Sequence, residues 1–209
     1  MKIVSIIPAR GGSKGIPRKN LKQIAGKPLL HYVISASLGS NVSETWVSSD
    51  DAEILNFSAS LGAKTLVRPK EISGDFASSE AALEHFCEHV DFDCMIFLQA
   101  TSPLTIAQDI NKAIEMLSEY DSVVAVTENH QLAWIRNQPQ YNLHNRKRRQ
   151  DSEQTFLETG AMFACYKQNF LQTNCRLHGD IGLLKVPKIR SFDIDTQQDI
   201  DVVEAILKA

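Results

Sequence analysis

The chain contains few cysteines and no long apolar segment. Four of its 209 residues are cysteine, and no two of them have the C-x-x-C spacing of zinc or redox sites. No apolar run approaches the roughly 20 residues that a membrane-spanning helix needs. Met1 leads directly into a predicted strand, without the pattern of a signal peptide. We therefore expect reduced cysteines, no membrane partner and a cytoplasmic location.

An excess of positive charge is also missing. The 22 lysines and arginines are outnumbered by 25 acidic residues, and the net charge is −3. This balance argues against a general nucleic-acid binder and predicts no nucleic-acid partner. A hydrophobic content of 43% is ordinary for a globular protein, and 209 residues fit one domain with its own core. We expect a single domain over residues 1–209.

The stretch that follows the first predicted strand has an unusual composition. Residues 3–7 are apolar except for Ser5 and mostly β-branched, as in a buried strand, and Pro8 ends the run. Residues 9–20 then contain four cations and three glycines. Glycines let backbone N–H groups approach a ligand closely, while arginine and lysine neutralise phosphate oxygens. The stretch predicts a polyphosphate-binding loop, although its spacing matches neither the P-loop nor G-x-G-x-x-G. The alternative is a solvated basic turn.

The rest of the chain alternates between short apolar strands and amphipathic helices. Strands are predicted at 45–48, 63–67, 95–98 and 122–126, with helices of about ten residues between them, and two further strands at 160–166 and 181–186. This alternation predicts an α/β fold with right-handed βαβ units and a mostly parallel sheet. In such sheets ligands bind beyond the carboxyl ends of the strands. Residues that follow successive strands should therefore converge with the basic loop, among them Arg68, Ser79 and Gln99.

Gln99 follows the predicted strand at 95–98, together with Thr101 and Ser102. Its side chain offers both a donor and an acceptor, which is what reading the edge of a pyrimidine requires. The alternative is a turn residue that forms local hydrogen bonds.

Two carboxylates, Asp193 and Asp195, precede the last predicted helix. Side chains two positions apart on an extended segment point to the same side, so the pair can hold one divalent cation. Mg²⁺ prefers one or two carboxylates together with phosphate oxygens, which the basic loop would bring. The alternative is that Asp195 or Thr196 only caps the helix.

Residues 128–158 interrupt the alternation. The segment is polar, contains scattered aromatic residues and carries a basic run at 146–149. A structureless loop of this length is improbable within a compact domain, so we expect strands that pack on a second subunit. The basic run would then face the other subunit or a carboxylate; contact with RNA is the alternative.

Five short segments resemble motifs of the acylneuraminate (CMP-sialic acid) cytidylyltransferase family. The first is the family's A-R-x-x-S-K-G-x-P-x-K-N, which is matched by Ala9, Arg10, Ser13, Lys14, Gly15, Pro17, Lys19 and Asn20. Residues 98–104 resemble L-Q-P-T-S-P-L, with Ala100 in place of proline. Asp193 and Asp195 correspond to a D-x-D pair. Residues 148–151 and 158–161 resemble R-R-Q-D and E-N-G-A, with Thr159 in place of asparagine.

The resemblance implies a Rossmann-like three-layer nucleotide-diphospho-sugar transferase fold and a homodimer built by residues 128–158. It implies transfer of CMP from CTP to the anomeric hydroxyl of a sialic-acid-like nonulosonic acid, with release of pyrophosphate and dependence on Mg²⁺. The catalytic residues would be Arg10, Lys19, Asp193 and Asp195, the last two as metal ligands. The nucleotide would contact Arg10, Gly11, Gly12, Ser13, Asn20, Arg68, Ser79 and Gln99. The sugar would contact Gln99, Thr101, Ser102, Arg149, Gln150, Glu158 and Thr159.

Two other functions stay open at this point. One is a different sugar nucleotidyltransferase of the same fold, with a sugar 1-phosphate acceptor or GTP as the donor. The other is a nucleotide-binding homologue without catalytic activity. Gln99 and the region of Arg149 favour the cytidylyltransferase. Sialic, legionaminic and pseudaminic acids all remain candidate acceptors.

Overall fold

A computed structural model describes residues 1–13, 15–151 and 153–208 of the chain. The strands are β1 Ile3–Pro8, β2 Gln23–Ile24, β3 Lys27–Pro28, β4 Glu44–Ser49, β5 Lys64–Val67, β6 Cys94–Leu98, β7 Ser122–Asn129, β8 Trp134–Ile135, β9 Gln138–Pro139, β10 Thr155–Tyr166 and β11 Ile181–Lys185. The helices are α1 Leu29–Leu38, α2 Ala52–Ser60, α3 Ser79–His89, α4 Ala107–Met116, α5 Lys167–Thr173 and α6 Gln197–Lys208. In these ranges no helix has both the length and the apolar character needed to cross a bilayer.

Seven strands form one sheet in the order β11-β7-β10-β6-β1-β4-β5. All neighbours pair in parallel except β10, which runs antiparallel to both β6 and β7. The predicted mostly parallel α/β sheet is therefore confirmed. β10 also begins five residues before the predicted start at 160, because its pairing with β7 continues past an irregularity between Glu158 and Phe163. Strands joined by a hairpin-like excursion must run antiparallel, and β7 reaches β10 in this way.

Helices cover both faces of the sheet. On one face, α1, α2 and α4 pack on Ile3 and Ile7 of β1, while α3 and α5 pack on Val4 and Ile6 from the other side. This alternation follows from the two-residue period of a strand. Because β1 is central and buried on both faces, the basic loop leaves the middle of the sheet at its carboxyl edge.

The C-terminal helix α6 closes this edge. Its buried residues Ile200 and Val203 form a small core with Ile24, Leu29 and Ile194. Each fully buried side chain of this size contributes about 1.5–3 kcal/mol of hydrophobic stabilisation. The packing brings the segment before α6 next to the loop after β1, so the two ends of the chain meet at the carboxyl edge.

The segment 128–158, here called the arm, contains defined structure. It comprises the end of β7, the β8–β9 hairpin, a short 3₁₀ helix at Arg149–Asp151 and the start of β10. Arg136 and Asn137 form the hairpin turn with φ of 47° and 63°, as the right-handed twist of a tight hairpin requires. Trp134 and Ile135 are more than half exposed. The expectation that this segment is not a structureless loop is confirmed.

Candidate functional site

A cavity of about 540 Å³, here called the nucleotide cavity, opens at the carboxyl edge of the sheet. The loop after β1 and the segment before α6 form one wall, and the loop after β5 and the start of α3 form another. The loop after β6 lies between them. The predicted site residues that line it are Arg10, Ser13, Lys19, Asn20, Arg68, Ser79, Gln99, Thr101 and Asp195.

The loop after β1 is anchored at two points. The Gly11 N–H donates to Asp50 Oδ1 at 3.0 Å, and a Cβ on Gly11 would lie 2.6 Å from Asp51 Oδ2. Asn20 Nδ2 donates to the carbonyl oxygen of Arg10 at 2.9 Å. The other amide atom, Asn20 Oδ1, is buried and has no hydrogen-bond partner within residues 1–13, 15–151 and 153–208. Asn20 thus positions Arg10 and keeps one acceptor for a donor group of a ligand.

Residues 193–195, here called the acidic segment, are bound to the N-terminal part of the chain through the backbone of Ile194. The Ile194 N–H donates to the Thr101 carbonyl at 2.9 Å, and Lys19 Nζ donates to the Ile194 carbonyl at 2.7 Å. Lys19 Nζ also contacts Asp195 Oδ1 at 3.0 Å, and Ser102 Oγ donates to Asp193 Oδ1 at 3.1 Å. Since the Ile194 side chain is fully buried, these bonds fix both flanking carboxylates beside the basic loop.

Gly15 is required where the basic loop approaches the acidic segment. A Cβ on Gly15 would lie 2.8 Å from the carbonyl oxygen of Asp195, a backbone atom that cannot turn away. We expect Gly15→Ala to destabilise the protein by about 1–3 kcal/mol through overpacking. A thermal melt should show a fall of about 2–4 °C per kcal/mol for a chain of this size.

Gly12→Ala is the matched control for this melt. Its added methyl group would meet nothing within 4 Å, so the melting temperature should stay close to that of the wild type. Equal melting temperatures for the two variants would contradict the close approach at Gly15.

Cations from two loops face the nucleotide cavity. Arg10 Nη1 forms an ion pair with Asp75 Oδ1 at 2.8 Å, on the loop after β5. Arg68 is buried and donates from Nε to Ser73 Oγ at 2.9 Å. Burial lowers the pKa of the Arg68 guanidinium, and the carboxylate of Asp50 acts in the opposite direction. Arginine nevertheless stays charged in proteins, so Arg68 is a desolvated cation suited to bind phosphate.

Gln99 is held by its backbone, not by its side chain. Its N–H donates to the Ala161 carbonyl at 2.9 Å, and its own carbonyl accepts from the Ser102 N–H at 3.2 Å. The Gln99 side chain is half-buried at the wall of the nucleotide cavity. Thr101 Oγ1, close by in the same loop, is buried and has no hydrogen-bond partner in the described parts of the chain. A rigid strand end therefore presents polar side chains to a ligand.

Several predicted site residues lie outside the nucleotide cavity. Thr159 Oγ1 donates to the Ala125 carbonyl at 3.1 Å and accepts from the Ala161 N–H, so it shapes the irregular part of β10. Gln150 and Glu158 are exposed in the arm. Among the described residues, those predicted for the site that do not line the cavity are Gly11, Gly12, Ser102, Gln150, Glu158, Thr159 and Asp193. Lys14 and the side chain of Arg149 lie outside the described parts of the chain.

Two carboxylates near the site, Asp75 and Asp199, make contacts that were not predicted. Asp75 pairs with Arg10, and no sequence signal links two residues 65 positions apart. Asp199 accepts from the Thr196 hydroxyl and from the N–H groups of Thr196 and Asp195, and these bonds lower its pKa. The T-x-x-D spacing, which is typical of a capping box, could have predicted the role of Asp199. Thr196 caps α6 as expected, since its Oγ1 accepts from the Asp199 N–H.

Comparison with known proteins identifies the family. The family described as cytidylyltransferase matches residues 4–208. N-acylneuraminate cytidylyltransferase B of Danio rerio is 34% identical over 96% of this chain and 50% of its own length. N-acylneuraminate cytidylyltransferase of Escherichia coli is 34% identical over 98% of this chain and 52% of its own. The chain thus spans about half the length of these curated relatives. Pseudaminic acid cytidylyltransferase of Campylobacter jejuni is 33% identical over all of this chain and 97% of its own.

Solved structures agree on the fold. CMP:2-keto-3-deoxy-manno-octonic acid synthetase, whose structure contains CTP, aligns with a TM-score of 0.77 at 20% identity and covers all of this chain. 4-Diphosphocytidyl-2C-methyl-D-erythritol synthase of Anaerococcus prevotii aligns with a TM-score of 0.73 at 14% identity. The sheet and helices described above are therefore those of a nucleotidyltransferase fold. Together with the family match over nearly the whole chain, this establishes that the chain belongs to the cytidylyltransferase family.

Proposed function

We propose that this chain transfers CMP from CTP to the anomeric hydroxyl of a nonulosonic acid and releases pyrophosphate. The observation that carries the proposal is the convergence of Arg10, Lys19, Arg68, Gln99 and Asp195 on one cavity of about 540 Å³. This volume is within the usual range for small-molecule sites. The names of the relatives, which are cytidylyltransferases for N-acylneuraminate or pseudaminic acid, support this class of acceptor.

The cations would bind the triphosphate by exchanging partners. Arg10 and Lys19 now bind the carboxylates of Asp75 and Asp195. A nucleotide triphosphate offers more oxygens and more charge than either carboxylate, so it would displace them from the cations. Arg68 needs no exchange because its partner is the neutral Ser73 hydroxyl. The cytidine would lie towards Asn20, Ser79 and Gln99, where amide and hydroxyl groups are available.

Mg²⁺ is the metal that the acidic segment fits. Asp193 and Asp195 supply only oxygen donors, and Mg²⁺ typically takes one or two carboxylates plus phosphate oxygens and water. The Asp195 side chain is 75% exposed at the nucleotide cavity, while Asp193 is steadied by the Ser102 hydroxyl. No group of three histidine, cysteine or acidic side chains suited to a metal occurs among the described residues. We propose that Asp193 and Asp195 hold Mg²⁺, which when bound neutralises phosphate charge.

The reaction forms one P–O bond and breaks another. The anomeric oxygen of the acceptor attacks the α-phosphorus of CTP, the bond to the bridging oxygen of the β-phosphate breaks, and pyrophosphate leaves with that electron pair. The hydroxyl proton is released. The chain contributes mainly by holding the two substrates in line and by placing Arg10 and Lys19 against the negative charge on the phosphates.

A pyrophosphate-release assay tests the proposal against its rivals. CTP, GTP, UTP and ATP are each combined with a panel of sialic, legionaminic and pseudaminic acids and with sugar 1-phosphates. We expect release only from CTP with one or more of the acids. Release with GTP or a sugar 1-phosphate would indicate another transferase of this fold, and no release with any pair would indicate a non-catalytic homologue.

Nucleotide choice should depend on Gln99. Gln99→Ala removes the amide that would pair with the cytosine edge and leaves polar groups of the base unpaired. We expect the kcat/KM for CTP to fall about tenfold to a hundredfold, so that the kcat/KM values for CTP and UTP differ less than in the wild-type protein. Steady-state kinetics with both nucleotides measure this ratio. An unchanged preference for CTP would mean that backbone groups read the base.

We propose a cytoplasmic homodimer that supplies CMP-activated sugars for cell-surface polysaccharide. The exposed apolar side chains of the arm, which include Trp134 and Ile135, support the dimer because large aromatic and aliphatic groups are enriched in interface cores. A two-fold axis would let two identical arms cover each other. Arg149, near the end of the arm, would then approach the carboxylate of the sugar acid.

A further inference from the structure

A second cavity, of about 560 Å³, lies at the same carboxyl edge of the sheet. Thr127 on β7 and Lys185 on β11 line it from the strand ends, and Phe156 lines it from the start of β10. The described residues that line it include none of those predicted for the site. Because β10 lies between β6 and β7, the end of β7 is about 10 Å from the strand end that carries Gln99, twice the usual strand spacing of about 4.8 Å, and β11 is one strand farther.

The second cavity is cationic. Lys185 and Lys188 line it, and Lys185 Nζ lies 4.7 Å from the centre of the Phe156 ring. Among the described residues, the structure records no ion pair for either lysine. The carboxylate in the lining, Glu128, is already engaged: Oε2 lies 3.4 Å from His130 Nε2, and Oε1 accepts from Gln154. The two lysines therefore keep their donors for an oxygen-rich ligand.

Thr127 gives a second, independent indication of a ligand. The residue is only 7% exposed, it lines the second cavity, and its hydroxyl has no hydrogen-bond partner among the described residues. Buried hydroxyl groups in folded proteins are normally satisfied by protein, water or ligand. A cavity that combines a buried hydroxyl, two ammonium groups and an aromatic ring has the composition of a site for a polyhydroxylated or acylated sugar.

We propose that the second cavity binds the substituent-bearing end of the sugar acid acceptor, an inference that rests on the proposed function. The anomeric end would remain in the nucleotide cavity near Thr101 and Asp195. The ring would cross the irregular part of β10 at Glu158 and Thr159, which lies between the two cavities. A nine-carbon sugar acid has a length comparable to this separation. Lys185 and Thr127 would donate to its hydroxyl or acyl oxygens and so distinguish one nonulosonic acid from another.

The test uses two substitutions that leave shape almost unchanged. Lys185→Met keeps an apolar stem over Phe156 and removes the charge, while Thr127→Val replaces the hydroxyl with a methyl group. We expect the KM for the acceptor to rise at least about tenfold in Lys185→Met and several-fold in Thr127→Val, with the KM for CTP unchanged. The melting temperature of Thr127→Val should not fall, because the lost hydroxyl has no partner in the part of the chain that the structure describes.

Lys64→Met is the matched control. Lys64 lies on β5 at the opposite edge of the sheet, and its Nζ is 5.4 Å from the centre of the Trp46 ring. This variant should keep both KM values. The proposal is wrong if both test variants keep the wild-type KM for the acceptor, or if they change the oligomeric state and not this KM. In either case, turnover by the wild-type protein would still support the proposed function. If the wild-type protein turns over no sugar acid at all, the proposed function falls, and this inference falls with it.

Discussion

Replacing Asp195 with asparagine should lower kcat about 100-fold or more while CTP still binds. The change keeps the shape of the side chain but removes a charge at the wall of the nucleotide cavity, where Lys19 and the proposed Mg²⁺ both depend on it. Losing one preorganised electrostatic contact to a transition state typically costs about 10²–10³ in kcat. Pyrophosphate release measured across a range of Mg²⁺ concentrations should show the loss at every concentration, with a weaker apparent affinity for the metal.

Asp201→Asn provides the control, since Asp201 lies on the exposed side of α6 and accepts a hydrogen bond from Gln197. It carries the same chemical change six residues away and should keep the wild-type rate. Full activity of Asp195→Asn, or full activity of the wild-type protein in excess EDTA, would contradict the metal assignment.

Removing the arm should convert an active dimer into a monomer with little or no activity. Asn129 and Thr155 are directly paired at the ends of β7 and β10, so residues 130–154 can be replaced by an Asn-Gly turn that closes the hairpin. Light scattering at micromolar concentration should report twice the chain mass for the wild-type protein and one chain mass for the variant. Activity should fall at least about 100-fold because the arm would contribute to the acceptor site.

Nucleotide binding distinguishes this outcome from simple misfolding. The described residues that line the nucleotide cavity lie outside the arm, so the shortened protein should still bind CTP. Trp134→Ser tests the interface without any deletion, since this side chain is 56% exposed and has no catalytic role in the account. It should weaken dimerisation measurably. A fully active monomer would contradict the role given to the arm.

The parts of the fold that could be predicted are those with a strong local signal. β1 is apolar at every position except Ser5, and α1 to α4 have helical periodicity between turn residues, so the mostly parallel sheet follows from the chain alone. α5 was not predicted because it has seven residues and only Phe170 is buried, which leaves no period to detect. The antiparallel direction of β10 depends on its pairing with β7, which no single segment encodes.

The candidate site also has a part that could be predicted from the sequence and a part that could not. Motif residues such as Arg10, Lys19 and Gln99 were predicted to converge because parallel strands end at the same edge of a sheet, and they do line one cavity. The contact between Lys19 and Asp195 joins residues 176 positions apart, and it depends on the burial of Ile194 beneath α6. The second cavity arises only where β7, β10 and β11 come together. Such contacts form only when the chain folds, so no local pattern of the sequence predicts them.

The proposed reaction joins CMP to a sugar acid. ³¹P NMR of one mixture containing the protein, CTP, Mg²⁺ and a nonulosonic acid measures the bond that forms and the bond that breaks. We expect the three resonances of CTP to be replaced by one phosphodiester resonance and a pyrophosphate resonance in equal molar amounts, with the mass of a CMP-sugar in the same sample. If CTP binds to the protein but remains intact with every acid of the panel, the chain does not catalyse this reaction.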